Sequence, residues 1–167
     1  MKLLRAPIGL LLALAATLGF GAARLPLGPD FFLIPVADAA RGGTPLLAMF
    51  VGLAGGLLED SLGNPERLLG LHAFGKVLLG YLLATLGARM IVEKPAAVGG
   101  LLAAAVLIET ALVVVLLWIL RGTPSVPRLD GVLIRAGATG LLGGMLFALS
   151  RVPWRERWSA RRRRRLS

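Results

Sequence analysis

The chain has 167 residues, of which 56% are hydrophobic and 17% charged, and its mean hydropathy is +0.78. A soluble domain usually carries roughly 25% charged residues, so this composition excludes an ordinary water-soluble protein. The sequence has no cysteine, which excludes disulfides and thiolate chemistry, and its single histidine leaves no closed zinc site. The net charge of +10 does not indicate nucleic-acid binding, because eight of the 19 basic residues follow Ser150 in one terminal run. A basic run beside an apolar segment is typical of a chain segment that lies at a membrane surface.

The charged residues are clustered, and the apolar runs between them are about 15 to 25 residues long. Such runs match the roughly 20 residues that a helix needs to cross a bilayer core of about 30 Å. The pattern predicts an all-α polytopic membrane protein, with one six-helix domain over 1–150 and a basic tail over 151–167. The predicted spans, joined by short loops, are 6–23, 27–40, 45–58, 68–92, 96–120 and 131–149.

The first two spans leave alternatives open. Residues 1–23 begin with two basic residues, continue as an apolar run and end in small residues, which fits a retained first helix or a cleavable signal peptide. We expect the retained helix. The 27–40 span contains Pro29 and Pro35, which cannot donate backbone hydrogen bonds, and Asp38 lies near its far end. This span is therefore either a full crossing or a short, kinked helix covered by its neighbours.

The distribution of Lys and Arg predicts the topology. Six spans place both termini on one side, together with thirteen basic residues, and leave four on the other side. Because cytoplasmic loops carry the excess of basic residues, both termini are expected in the cytoplasm. Five spans would instead export the polyarginine tail, so that count is rejected.

The segment 52–89 is the most distinctive part of the sequence. Gly52 and Gly56 are four residues apart, so they share one helix face and allow another backbone to approach closely. The acidic pair Glu59 and Asp60 is expected to end this helix, and a polar turn follows. The pair is interpreted either as a solvated helix end or as a contact with a partner.

Four titratable residues fall within the later spans. His72 and Lys76 are four residues apart and therefore share one stripe of the fourth helix. At 1.5 Å per residue, Lys76 lies about 12 Å and Glu109 about 16 Å from the same membrane surface, which predicts an ion pair. Arg135 lies only about 6 Å deep, and its side chain is long enough to reach the surface.

Two interpretations of these four residues remain open. They line a polar cavity that binds a ligand or relays protons, or they form a structural ion pair that fixes the order of the helices. The sequence contains no nucleophile elbow, no phosphate loop and no carboxylate pair in a cleft, so we expect neither an enzyme nor a cofactor.

Several motifs resemble the rod shape-determining protein family MreD. They are PDFF at 29–32, GLAGGLLED at 52–60, LGLHAF at 69–74 and LGYL at 79–82. The resemblance implies a six-helix inner-membrane subunit of the bacterial elongation machinery that binds MreC. Through MreC it implies links to RodA with a class B penicillin-binding protein, and to the MreB filament. The residues that it marks for packing or for a partner are Gly52, Gly56, Glu59, Asp60, His72 and Tyr81.

Two functions from different classes follow from the resemblance. The first is a non-enzymatic scaffold that helps control cell shape and peptidoglycan synthesis. The second is the substrate-binding subunit of an energy-coupling-factor transporter for a vitamin or another small solute, because the MreD family is similar in fold to those subunits. The tail is longer than the family pattern requires. Its arginines are expected to bind anionic lipid or the filament; they are Arg161, Arg162, Arg163, Arg164 and Arg165.

Overall fold

The computed structural model describes residues 5–22, 28–42, 44–62, 69–89, 94–122 and 127–150. Over these residues every regular element is an α-helix. The helices are α1 (Arg5–Ala22), α2 (Leu33–Gly42), α3 (Pro45–Leu62), α4 (Leu71–Arg89), α5 (Pro95–Arg121) and α6 (Leu129–Ser150). The basic tail over 151–167 lies outside the described residues.

Four of the helices, α1, α3, α5 and α6, are long and apolar enough to cross a membrane. In α4 the apolar stretch is shorter and covers Leu71–Leu86. The protein is therefore a multi-pass membrane protein, as its hydropathy predicts.

Two elements differ from the predicted boundaries. The third helix does not end at the acidic pair but continues to Leu62, so Glu59 and Asp60 lie within its last two turns. The second helix starts at Leu33 and has ten residues, which rise about 15 Å, or half of a bilayer core. Residues 28–32 lead into it as irregular chain and a turn. Of the two alternatives for this segment, the short helix covered by its neighbours is the one observed.

Glycines bring α3 and α4 into direct backbone contact. A Cβ atom on Gly52 would overlap the backbone of Lys76, and one on Gly56 would overlap the backbone of Ala73. The close-packed face predicted at Gly52 and Gly56 is thus confirmed, and it is covered by α4 of the same chain. Helices α5 and α6 meet in the same way, because a Cβ on Gly99 would lie 2.7 Å from the carbonyl oxygen of Gly140.

The short helix α2 occupies the centre of the bundle. Its Leu33 and Val36 are fully buried, and it packs against α1, α3, α4 and α5. Helix α1 lies at the periphery, where it packs mainly on α2 and α3 and buries only Ala13. We call the end of the bundle that contains Arg5 the basal end and the opposite end the distal end. Because α2 rises only about 15 Å, it reaches only half depth, and among the described residues the distal half of the bundle is built from the other five helices.

A buried ion-pair network as the candidate functional site

Lys76 is the centre of the candidate site. It lies on the second turn of α4 and is completely buried. Its Nζ lies 2.6 Å from Oε1 of Glu109, 2.7 Å from Oδ2 of Asp30 and 2.7 Å from Oε2 of Glu59. The ion pair predicted between Lys76 and Glu109 is therefore present, but it belongs to a larger network. Three carboxylates from three different elements surround one ammonium group.

Asp30 connects this network to the start of α2. Its Oδ1 accepts hydrogen bonds from the backbone N–H groups of Phe32 (3.1 Å) and Leu33 (3.2 Å), as the capping residue of a helix does. Its own N–H donates to Oγ1 of Thr139 on α6, at 2.8 Å. The remaining oxygen, Oδ2, accepts from Lys76. Asp30 therefore caps the start of α2 and connects it to α4 through Lys76 and to α6 through Thr139.

Arg135 points into the bundle rather than towards the membrane surface. Its Nη2 lies 2.6 Å from Oε1 of Glu59 and 3.2 Å from Oδ2 of Asp30. The side chain is 32% exposed, so only part of the guanidinium is open at the distal side. The shallow position would allow this arginine to reach water, but the buried Asp30 and the partly buried Glu59 hold it inside because they need a second cation.

His72 lies at the edge of the same network. Its Nδ1 is 3.0 Å from Oε1 of Glu109 and 3.8 Å from Oε1 of Glu59. Three carboxylates face two permanent cations, so the network carries one negative formal charge when His72 is neutral and none when it is protonated. A proton shared between His72 and Glu109 would therefore balance the network.

Asp60 has a different structural role from Glu59. It is buried, and its carboxylate accepts hydrogen bonds from the backbone N–H groups of Gly70 (2.8 Å), His72 (3.3 Å) and Ala73 (3.4 Å). It therefore caps the first turn of α4, where Gly70 adopts a positive φ of 102° that suits glycine. Both carboxylates make contacts within the chain, Glu59 in the network and Asp60 in a cap, so the pair is not a solvated helix end. A contact of this pair with a partner stays a prediction.

The network also contains the donor set of a metal site. One ligand atom from each of Glu59, His72 and Glu109 lies within 4.8 Å of the others. However, Nζ of Lys76 already lies 2.6–2.7 Å from carboxylate oxygens of Glu59 and Glu109. The ammonium therefore takes the place of a cation between them, and a metal ion would have to displace it. Oε2 of Glu59 makes this ion-pair contact without a hydrogen bond to any described residue.

A cavity of about 530 Å³ lies at the distal end, above the start of α2. It exists because α2 is too short to fill this half of the bundle. Its floor is the pair of Glu59 and Arg135, and its wall includes an edge-to-face contact of Phe20 and Phe31, whose ring centroids are 5.1 Å apart. Polar groups on its wall and rim are Thr17, Thr110 and Arg128.

One further predicted site residue lies apart from this network. Tyr81 is on α4 and is 47% exposed, so it faces out of the bundle. The arginines at 161–165 lie outside the described residues. Three members of the network were not assigned to it from the sequence, namely Asp30, Glu59 and Thr139; the sequence grouped Glu59 with Asp60 at the end of α3 instead. Asp30 carried a signal, because an aspartate just before an apolar helix is a typical capping residue; Thr139 carried none.

The chain matches no protein-family model, no curated protein and no solved structure.

Proposed function

We propose that the protein is a non-enzymatic scaffold subunit of the bacterial cell-elongation machinery, of the MreD type. The observation that carries this proposal is where the motif residues lie. The motifs that resemble the MreD family contribute Asp30, Glu59, Asp60 and His72, and all four act in one buried region that joins α2, α3 and α4. A buried network that fixes helix order suits a subunit that presents a rigid surface to partners.

The proposal includes six membrane segments, with α2 as a half-length one, and both termini in the cytoplasm. The partner is MreC, which links the subunit to RodA with its penicillin-binding protein and to MreB. The surface open to a partner helix lies on the outer side of the α3–α4 hairpin. Its large exposed side chains include Phe50 (59%), Phe74 (55%) and Tyr81 (47%).

Co-purification from native membranes tests this function. The expected result is that the tagged chain brings down an MreC-type protein with one membrane span. Replacing Tyr81 and Phe74 by Ala should weaken that capture without lowering the amount of the chain. Leu141, which is 72% exposed on α6 and lines neither cavity, provides the matched control, and Leu141→Ala should leave capture unchanged. The proposal fails if the chain is well expressed and no such protein is captured.

The distal cavity favours a second candidate, the substrate-binding subunit of an energy-coupling-factor transporter. Its volume of about 530 Å³ falls within the range of about 300–1,000 Å³ that is usual for small-molecule sites. Two guanidinium groups, a carboxylate and two hydroxyl groups at an aromatic wall would suit a small polar ligand. Mass spectrometry of the same pull-down separates the two functions. A transporter subunit retains a small molecule and captures a coupling ATPase module, whereas a scaffold captures MreC and no ATPase.

A further inference from the structure

A second cavity, of about 410 Å³, lies at the basal end and is separate from the ion-pair network. It forms a groove between α1, α2, α5 and α6, because α1 packs on α2 and α3 and leaves a gap towards α6. The contact between α1 and α2 closes one side of the groove, since a Cβ on Gly9 would lie 3.1 Å from Cβ of Pro35. The groove interior is apolar, and its charged lining residues are Arg5, Asp38 and Arg41.

We propose that this groove binds one anionic phospholipid, with an acyl chain along α1 and the phosphate at Arg5 and Arg41. The length of the groove agrees with a lipid. Its lining on α1 runs from Arg5 to Ala16, a rise of about 16 Å, which is close to one leaflet of a bilayer core of about 30 Å. An acyl chain therefore fits between the charged mouth and the deep end of the groove.

The charge of the mouth selects the headgroup. The guanidinium of Arg41 is stacked on the ring of Phe147, with its Cζ 3.8 Å from the ring centroid. This contact places the positive charge of Arg41, at the end of α2, against α6 at the mouth of the groove. Arg5 is exposed at the start of α1 and adds a second positive charge. Asp38 offsets one of these charges, so the described charged residues that line the groove sum to +1, which attracts a phosphate that carries no compensating amine.

Native mass spectrometry tests the proposal on the full chain, reconstituted in phosphatidylcholine bilayers that contain a minor share of phosphatidylglycerol. We expect one phosphatidylglycerol to remain on each wild-type chain after extraction. Arg5→Gln and Arg41→Gln should each reduce its retention roughly fivefold, and the double variant about thirtyfold. Asp38→Asn should change retention in the opposite direction, by up to about fivefold. Lys94→Gln is the matched control, because Lys94 is exposed at the basal end but does not line the groove.

A second pair of variants tests the groove itself. Ala16 lines its deep end, whereas the adjacent Ala15 is exposed and does not line it. Ala16→Phe should therefore abolish retention of the lipid, and Ala15→Phe should leave it unchanged. This pair also separates the groove from the basic tail, because both variants keep every arginine of the tail.

The following outcomes would overturn the proposal. Equal retention of phosphatidylcholine and phosphatidylglycerol by the wild type would show that the charged residues at the mouth do not select an anionic headgroup. Equal losses from Lys94→Gln and Arg5→Gln would show a diffuse surface charge instead of a site. A dimer mass without lipid would identify a second copy of the chain as the occupant. Arg41→Lys is the control for misfolding. It keeps the positive charge at the mouth, so it should retain most of the lipid.

Discussion

Removal of the ammonium group of Lys76 should destabilise the protein far more than removal of its carboxylate partner Glu109. In the wild type, Nζ contacts three carboxylates at 2.6–2.7 Å. Lys76→Met leaves these carboxylates with Arg135 as the only permanent cation in the network. Breaking a buried ion pair from one side costs about 3–5 kcal/mol, because a charge remains buried without compensation. Since native proteins are stable by only about 5–15 kcal/mol, Lys76→Met should lose most of its folded protein.

Glu109→Gln should behave differently. The amide oxygen can still accept a hydrogen bond from Nζ, which lies 2.6 Å from Oε1 in the wild type. The substitution also leaves two carboxylates facing two permanent cations, Lys76 and Arg135, so that the network becomes formally neutral. We expect a loss of about 1 kcal/mol, the usual net value of one hydrogen bond. A pair formed by Lys76 and Glu109 alone would make the two single substitutions similarly harmful. The contacts of Lys76 with Asp30 and Glu59 are the reason why the two effects should differ.

The double variant Lys76→Met with Glu109→Gln completes the cycle. It restores the single negative formal charge of the wild type, so it should be more stable than Lys76→Met alone. The assay is the fraction of detergent-solubilised protein that survives heating as a single peak in size-exclusion chromatography, together with abundance in the membrane. Lys94→Met, an exposed substitution, is the control. The reasoning is refuted if Lys76→Met survives heating as well as the wild type, or if Glu109→Gln is the more damaging change.

Three further predictions follow from the described contacts. Gly56→Leu should prevent stable folding, because its side chain would collide with the backbone of α4. Gly137→Leu should be tolerated, because no atom of another described helix lies within 4 Å of its Cβ position. Abundance in the membrane measures both. Thr139→Val should cost about 1–3 kcal/mol, since it leaves the buried N–H of Asp30 without its acceptor, and a thermal survival curve unchanged from wild type would contradict this. The chain has no cysteine, so Ser61→Cys and Ser150→Cys can be labelled singly; an impermeant thiol reagent added outside spheroplasts should reach only the former, and the opposite pattern would invert the topology.

The sequence by itself determined the class of the protein and most of its helices. Length and hydropathy of an apolar run are local properties, and five of the six helices begin and end within about four residues of their predicted limits. Residue spacing was also sufficient to predict the close helix contact at Gly52 and Gly56, because two small residues four apart share one helix face. The similar depths of Lys76 and Glu109 in the membrane were sufficient to predict their ion pair.

Only the tertiary structure decided the depth at which α2 begins. Asp30 stops the chain inside the bundle through contacts with Lys76 and Thr139, which are 46 and 109 residues further along the chain. No local pattern encodes those partners. The same contacts turn Arg135 inwards, because a buried carboxylate requires a cation more strongly than an arginine near the surface requires water. The distal cavity follows from the short α2, so it too was decided by long-range pairing of charges rather than by the hydropathy of any one segment.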